Sequence, residues 1–269
     1  MFKKQPLSEQ LKQTWIHYRN QVQISRKKAN SLNIHRLRVV TQRFQAILKL
    51  TQSLAPKHET ELIIHSLKKT RRELGNLRDL QIESDLKTGQ VGHFSVFVSQ
   101  EKKLAKIKVK KYLKDLPLKK QKTLLMKVMS KKLIQSEKMT IKQVRNLLAP
   151  AVKTTLNRFK KALSETTPKK MKNLHKFRIL TKQLRYQEEG IKSACGFTPF
   201  NLSKLKKVQN AVGKIQDNNA LLKTMNRYLA QKKHRADPLV LKAQKQLHRI
   251  QKKQIRQEFK NLSIVQWKN

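Results

Sequence analysis

The sequence has few of the residues that break helices or form cross-links. It contains one cysteine, Cys195, with six glycines and seven prolines in 269 residues. A single cysteine excludes an internal disulfide and excludes zinc or redox motifs of the Cys-x-x-Cys type. Leu, Lys, Gln and Arg, which are good helix formers, abound, and strand-like runs are almost absent. The composition therefore predicts an all-α fold.

Acidic and aromatic residues are scarce as well. Only 16 Asp and Glu stand against 63 Lys and Arg, which leaves a formal net charge of +47. Like charges at this density repel one another in a compact chain, so we expect a bound counter-charge to offset the cost. Nucleic acid, an anionic membrane surface and inorganic polyphosphate are the partners to weigh.

Aromatic residues make up 6% of the chain, and most fall on apolar helix stripes. Recognition of single-stranded nucleic acid normally uses exposed rings on which bases stack. Trp15, Tyr18 and Tyr186 are the few rings that the pattern leaves open to exposure, and we expect Trp15 in the core. Many cations with few stacking rings favour a polymer that has phosphates and no bases. Non-sequence-specific binding of DNA or RNA through charge alone is the alternative.

Long apolar segments are absent. No apolar region of a signal peptide follows the first residues, and the most apolar stretch, Val91–Val98, is too short to span a bilayer. A membrane-surface role is disfavoured, because the apolar faces of the amphipathic helices are needed for the core. We expect a soluble cytoplasmic protein with no membrane insertion. The sequence leaves its oligomeric state open.

Groups that would support catalysis or metal binding do not come together. The carboxylates are scattered, and no Gly-rich phosphate loop occurs. His58 and His65 could share a helix face, but no carboxylate or cysteine completes a metal site. We predict a binding protein with no catalytic residues, no metal and no cofactor.

Apolar residues recur at helical spacing along almost the whole chain. The pattern predicts helices near 8–28, 31–53, 57–75, 78–88, 99–114, 117–137, 141–164, 170–193, 201–215, 217–232 and 238–262. Pro150 falls inside a helical pattern and is expected to kink or divide that helix. The segment from Gly89 to Gly92 is predicted to be a loop.

Two segments recur in the same order. Asn33–Thr41 matches Asn173–Thr181, 140 residues later, with Asn, His, Arg and Thr at the same places. Leu67–Asp79 matches Leu205–Asp217 at nearly the same offset. We predict one domain over residues 1–269, made of two related helical-bundle halves, about 1–138 and 139–269, that pack about a pseudo-twofold axis.

The repeated helices place basic residues opposite their apolar stripes, at about 100° per residue. The polar side of the first copy carries His35, Arg38, Gln42 and Lys49, with Arg36 and Arg43 on its flank. The second copy carries His175, Arg178, Lys182 and Arg185. The next helix adds Lys68, Lys69 and Arg72, and its second copy adds Lys206 and Lys207. Arginine offers forked donors to phosphate oxygens, lysine offers a mobile charge, and a nearby phosphate would raise the pKa of a histidine.

Gly75 and Gly213 are interpreted as helix caps or close-packing sites. Asp79 and Asp217 are interpreted as caps of a following helix. We assign both pairs a structural role.

The pattern resembles the CHAD domain, the conserved histidine α-helical domain. The resemblance rests on the His-x-x-Arg motif at His35–Arg38, on Leu-Gly-Asn-Leu-Arg-Asp at Leu74–Asp79, and on the second copy from His175 to Glu189. It extends over nearly the whole chain. It implies an all-α domain whose two bundle-like halves surround a basic central cavity that binds inorganic polyphosphate.

Carried over position by position, the resemblance implies specific site residues. They are His35, Arg36, Arg38, Arg43, Lys68, Lys69, Arg72, His175, Lys176, Arg178, Lys182, Arg185, Lys206 and Lys207. The chain departs from the family at Gln42 and Gln183, where the pattern is often basic. If the chain binds polyphosphate, we expect it in the cytoplasm and at polyphosphate granules.

Overall fold

The computed structural model describes residues 5–85, 92–129, 131–165, 171–196, 198, 200–231, 234–235 and 237–263. Most of these residues lie in α-helices, and no β-strand occurs among them. The helices are α1 (Leu7–Lys27), α2 (Ser31–Leu50), α3 (Lys57–Asp85), α4 (Gly92–Lys114), α5 (Leu118–Val128), α6 (Lys131–Gln135), α7 (Ile141–Glu165), α8 (Met171–Cys195), α9 (Leu202–Leu229) and α10 (Pro238–Ser263). A short 3-10 helix, Ser136–Lys138, follows α6. The all-α prediction is confirmed.

Several helices end elsewhere than predicted. The segments at 57–75 and 78–88 form the single helix α3, and those at 201–215 and 217–232 form α9. The predicted helix at 117–137 is divided into α5, α6 and the 3-10 helix. In addition, α4 begins at Gly92, because Phe94 and Val98 extend its buried stripe towards the start. The rest of the predicted Gly89–Gly92 loop lies outside the described residues.

The interpretation of Asp79 and Asp217 as caps is wrong, because both lie inside continuous helices. In α3 the apolar stripe runs straight through Gly75, and Leu74, Leu77 and Leu80 are all buried. Burial of three leucines outweighs the ~1 kcal/mol that a glycine costs in a helix interior.

Helix α7 is not divided at Pro150. Proline removes the donor that would bond the carbonyl of Asn146. Both residues are exposed, so water can take the place of that donor. The buried residues on the other side of α7, Val144, Leu148, Val152 and Phe159, hold it as one helix.

Equivalent helices of the two repeats meet at the centre of the fold. Helix α2 packs against α8, and α3 packs against α9. Helix α1 packs against α2, and α7 packs against α8. The pseudo-twofold relation and the single-domain division stay predictions. No described helix combines the length and apolar character needed to cross a membrane.

An aromatic cluster fills the core of the first repeat. Trp15, Tyr18 and Phe44 have ring centroids 5.8 to 6.1 Å apart. Trp15 is 5% exposed, Tyr18 is 0% exposed, and Tyr186 in the second repeat is 4% exposed. The core position predicted for Trp15 is confirmed. The rings of Trp15, Tyr18 and Tyr186 are too buried for a nucleic-acid base to stack on them.

Candidate functional site

Two adjoining cavities, of about 280 Å³ and 120 Å³, lie between α2, α3 and α8. They have Gln42, Lys68, Arg71, Ile179 and Lys182 in common, and we call the two adjoining cavities together the central groove. Its other lining residues are Arg38, Gln45, Ala46, Lys49, Arg72, Gly75, Asp79, His175, Arg178, Gln183 and Tyr186. Basic residues from both repeats therefore face a common space.

Arg38 and Arg178 hold equivalent positions in the two repeats. Arg38 extends from α2, and its Nη1 donates to the backbone carbonyl of Arg71 in α3 at 2.8 Å. Arg178 extends from α8, and its Nη2 lies 4.0 Å from Asp217 Oδ1 in α9. Asp79 of α3 acts on Arg38 in the corresponding way, because its charge favours the protonated guanidinium. Each arginine thus spans two helices and lies near one aspartate.

Gly75 and Gly213 lie next to these arginines. A Cβ at Gly75 would lie 3.6 Å from Arg38 Nη1, and a Cβ at Gly213 would lie 3.7 Å from Arg178 Nη2. Neither glycine caps a helix, and each lies beside one of these arginines. Each glycine precedes its aspartate by four residues, which puts both on one helix face.

Three groove cations, Arg38, Lys49 and Lys182, are partly withdrawn from water. Burial lowers the pKa of Arg38 to about 10, that of Lys182 to about 7 and that of Lys49 to about 8, and nearby cations contribute to each shift. Burial also raises the pKa of Asp79 and Asp217, although neighbouring cations oppose this. An anion in the groove would therefore relieve repulsion among desolvated cations.

The CHAD domain family model matches residues 9–226. This chain belongs to the CHAD domain family. Its fold is similar to the crystal structure of the CHAD domain from the plant Ricinus communis, with a TM-score of 0.68, 16% identity, and coverage of 100% of this chain and 96% of that chain. It is also similar to PptA from Streptomyces chartreusis, with a TM-score of 0.57, 16% identity, and coverage of 95% and 96%. Among curated protein sequences, none matches this chain.

The central groove of this CHAD domain gathers part of the predicted site. Six predicted residues line its larger cavity, namely Arg38, Lys68, Arg72, His175, Arg178 and Lys182. These residues come from α2, α3 and α8, so the two repeats contribute to one surface.

The two histidines of the CHAD motif face different spaces. His175 lines the central groove. His35 lines a separate cavity of about 410 Å³ between α1 and α2, together with His17, Arg36 and Arg43. Burial lowers the pKa of His35 and His175, and neighbouring cations add to this effect. Both shifts favour the neutral imidazole in the absence of an anion.

Arg185 already has protein partners. Its Nη1 donates to Glu189 Oε1 at 2.7 Å, its Nε donates to Gln209 Oε1 at 2.9 Å, and its Cζ lies 4.4 Å from the centroid of the Tyr186 ring. Arg43 Nε lies 3.9 Å from Glu189 Oε2. The remaining predicted residues are exposed outside the lining of the central groove: Lys69, Lys176, Lys206 and Lys207.

Arg71 and Lys49 line the groove but are absent from the predicted site. On the wheel of α3, Arg71 falls near the apolar side, away from Lys68, Lys69 and Arg72. Burial lowers its pKa, and its Nη1 lies 3.5 Å from Gln45 Oε1. Its spacing from Lys68 and Gly75, three and four residues, is the signal that places it on the groove face.

Proposed function

We propose that this CHAD domain binds inorganic polyphosphate as an extended chain in the central groove. The observation that carries the proposal is that Arg38, Arg178 and Lys182, from both repeats, line one cavity in which Asp79 is the carboxylate. Forked guanidinium donors and mobile ammonium groups suit the oxygens of successive phosphates. Binding would also reduce the electrostatic repulsion among the partly desolvated cations of the groove.

The burial of the aromatic rings supports a polymer without bases. Nucleic acid is the alternative, because a net charge of +47 would give salt-sensitive binding to any phosphate backbone. Trp15, Tyr18 and Tyr186, however, are buried and offer no surface for base stacking. A phosphate chain does not need such a surface.

We also propose that the groove holds the polymer without cleaving it and without a metal or cofactor. Asp79 and Asp217 each interact with an arginine. The cations that line the groove suit holding phosphate oxygens. Incubation with long-chain polyphosphate should therefore release no orthophosphate. Binding of this kind would bring the protein to cytoplasmic polyphosphate granules.

A competition experiment at physiological salt tests the proposed ligand. Labelled long-chain polyphosphate is bound to the full chain and displaced by unlabelled polyphosphate, duplex DNA or single-stranded RNA, matched in phosphate concentration. We expect polyphosphate to displace the label at the lowest concentration. Stronger displacement by either nucleic acid would contradict the proposal.

A pair of charge-matched variants tests the proposed location. The variant R38Q/R178Q removes two groove cations and should weaken polyphosphate binding at least about 100-fold, since each charged hydrogen bond contributes about 1.5–3 kcal/mol. The control K153Q/K160Q removes two exposed lysines of α7 and should weaken it only slightly. Equal losses in the two variants would show that no defined groove exists.

A further inference from the structure

Helix α4 carries aliphatic side chains on its outer surface. Val96 is 54% exposed, Leu104 is 56% exposed and Ile107 is 64% exposed. An aliphatic side chain that is more than half exposed contributes little to the core. Exposed aliphatic side chains that lie together on one face of a helix can mark an interaction site.

These residues form a second apolar stripe on α4. The inner stripe, which packs in the core, consists of Phe94, Val98, Ala105, Val109 and Leu113. At about 100° per residue, Ile107 lies nearly opposite the centre of the inner stripe, and Val96 and Leu104 lie more than about 120° from it. From the sequence, we expect the apolar faces of the helices to be buried in the core. The inner stripe of α4 is buried there, but the outer stripe is not.

Lysines surround the outer stripe. Lys103, Lys110, Lys111 and Lys114 are exposed on the same side of α4. The acidic residue of this helix, Glu101, interacts with Arg227 of α9, with 3.1 Å between Oε2 and Nη1. The outer face of α4 therefore combines aliphatic side chains with positive charge and presents no carboxylate.

This combination fits the surface of an anionic membrane. A basic amphipathic helix at such a surface puts its aliphatic side chains at the boundary of head groups and acyl chains, and its lysines contact the lipid phosphates. Nucleic acid would use the lysines but leave the aliphatic side chains in water. A second copy of this chain, with the same charge of +47, would be repelled.

We propose that the outer face of α4 docks this protein on an anionic lipid surface. The described lining of the central groove comes from α2, α3 and α8, so docking through α4 leaves the groove open. The protein would then hold a phosphate polymer and a membrane at the same time. This second surface does not depend on the identity of the polymer.

Sedimentation of the full chain with lipid vesicles tests the proposal. We expect the protein to sediment with phosphatidylcholine vesicles that contain phosphatidylglycerol and to stay in the supernatant with phosphatidylcholine alone. The variant V96S/L104S/I107S should lower the apparent vesicle affinity at least about tenfold, because the substitutions remove aliphatic area that enters the lipid. The control L239S/I250S, which changes two exposed aliphatic residues of α10, should bind like the unaltered chain.

Two further variants separate the sources of binding. R38Q/R178Q should keep the vesicle affinity of the unaltered chain even if it no longer binds polyphosphate. If R38Q/R178Q loses vesicle binding, lipid phosphates enter the groove, and the proposal is overturned. In I107W, the new tryptophan should shift its fluorescence to shorter wavelength only with the anionic vesicles. Unchanged vesicle affinity of V96S/L104S/I107S, or an unchanged spectrum of I107W, would also overturn it.

Discussion

Lys49 Nζ donates to Gln183 Oε1 at 2.7 Å, which joins α2 of the first repeat to α8 of the second. Gln183 Nε2 in turn donates to Thr155 Oγ1 of α7 at 2.9 Å. The departure from the basic family pattern at Gln183 thus supplies a neutral acceptor for the half-buried Lys49. Arg38 likewise donates to a neutral group, the carbonyl of Arg71. Both cations are fixed in place while their charge remains available to an anion.

The stability of the ligand-free protein should rise with pH above neutrality. The pKa of Lys182 is lowered to about 7 and that of Lys49 to about 8, from 10.5 in the unfolded chain. At pH values between the folded and the unfolded pKa of each lysine, the unfolded chain binds more protons than the folded protein. The free energy of unfolding therefore increases from about pH 7 to about pH 10. We expect a gain on the order of 1 kcal/mol between pH 7 and 9, measured by urea denaturation. The variant K49M/K182M should lose most of this gain, and a fall in stability over the same range would contradict the assignment.

Polyphosphate binding should take up protons at pH 8. Phosphate next to Lys182 and Lys49 favours their charged forms and raises both pKa values. The two lysines therefore take up protons that the buffer releases. Calorimetric titrations in two buffers with different ionisation enthalpies should give different binding enthalpies for the unaltered chain. The difference should shrink in K49M/K182M. Identical enthalpies in both buffers for the unaltered chain would show that these lysines do not meet the ligand.

Removal of the two aspartates beside Arg38 and Arg178 should tighten polyphosphate binding. Asp79 and Asp217 compete with phosphate for Arg38 and Arg178, so D79N/D217N should raise the affinity by about three- to tenfold at constant salt. The control D115N, at an exposed position after α4, should change it much less. A weaker affinity in D79N/D217N would mean that the aspartates are needed to orient the arginines.

Substitutions of Gly75 should separate helix stability from groove geometry. Alanine fits, since its Cβ would lie 3.6 Å from Arg38 Nη1, and G75A should stabilise the protein by about 0.5–1 kcal/mol through helix propensity. The larger side chain in G75L would displace the Arg38 guanidinium and should weaken polyphosphate binding. Thermal denaturation and binding titrations of the two variants, with the corresponding pair at Gly213, measure both effects. Equal affinities of G75A and G75L would contradict the placement of Arg38.

The helix faces could be predicted from the sequence, but the helix ends could not. The apolar spacing of α2 and α8 places Arg38 and Arg178 opposite the core stripes, and both lie where that spacing predicts. A glycine with an aspartate four residues later, as at Gly75 and Asp79, is also compatible with a helix end and a new cap, so the sequence alone does not distinguish the two cases. Only the tertiary burial of the leucine stripe shows that the helix continues.

The sequence also could not predict which basic residues line the central groove and which line the cavity between α1 and α2. His35 and Arg38 are three residues apart and share one side of α2, yet one lines the cavity towards α1 and the other lines the central groove. A helical wheel shows which side is polar but not which neighbour covers each part of it. Arg71 was missed for the same reason, because its approach to the groove depends on how α3 packs against α2.

The aspartates beside Arg38 and Arg178 have a consequence for how a long polymer moves. If the groove binds polyphosphate as we propose, each arriving phosphate would displace a carboxylate from an arginine, and a carboxylate would return when the phosphate leaves. Release at one arginine would then cost little free energy while the rest of the polymer stays bound. The polymer could advance along the groove by such exchanges, one phosphate at a time, without leaving the protein.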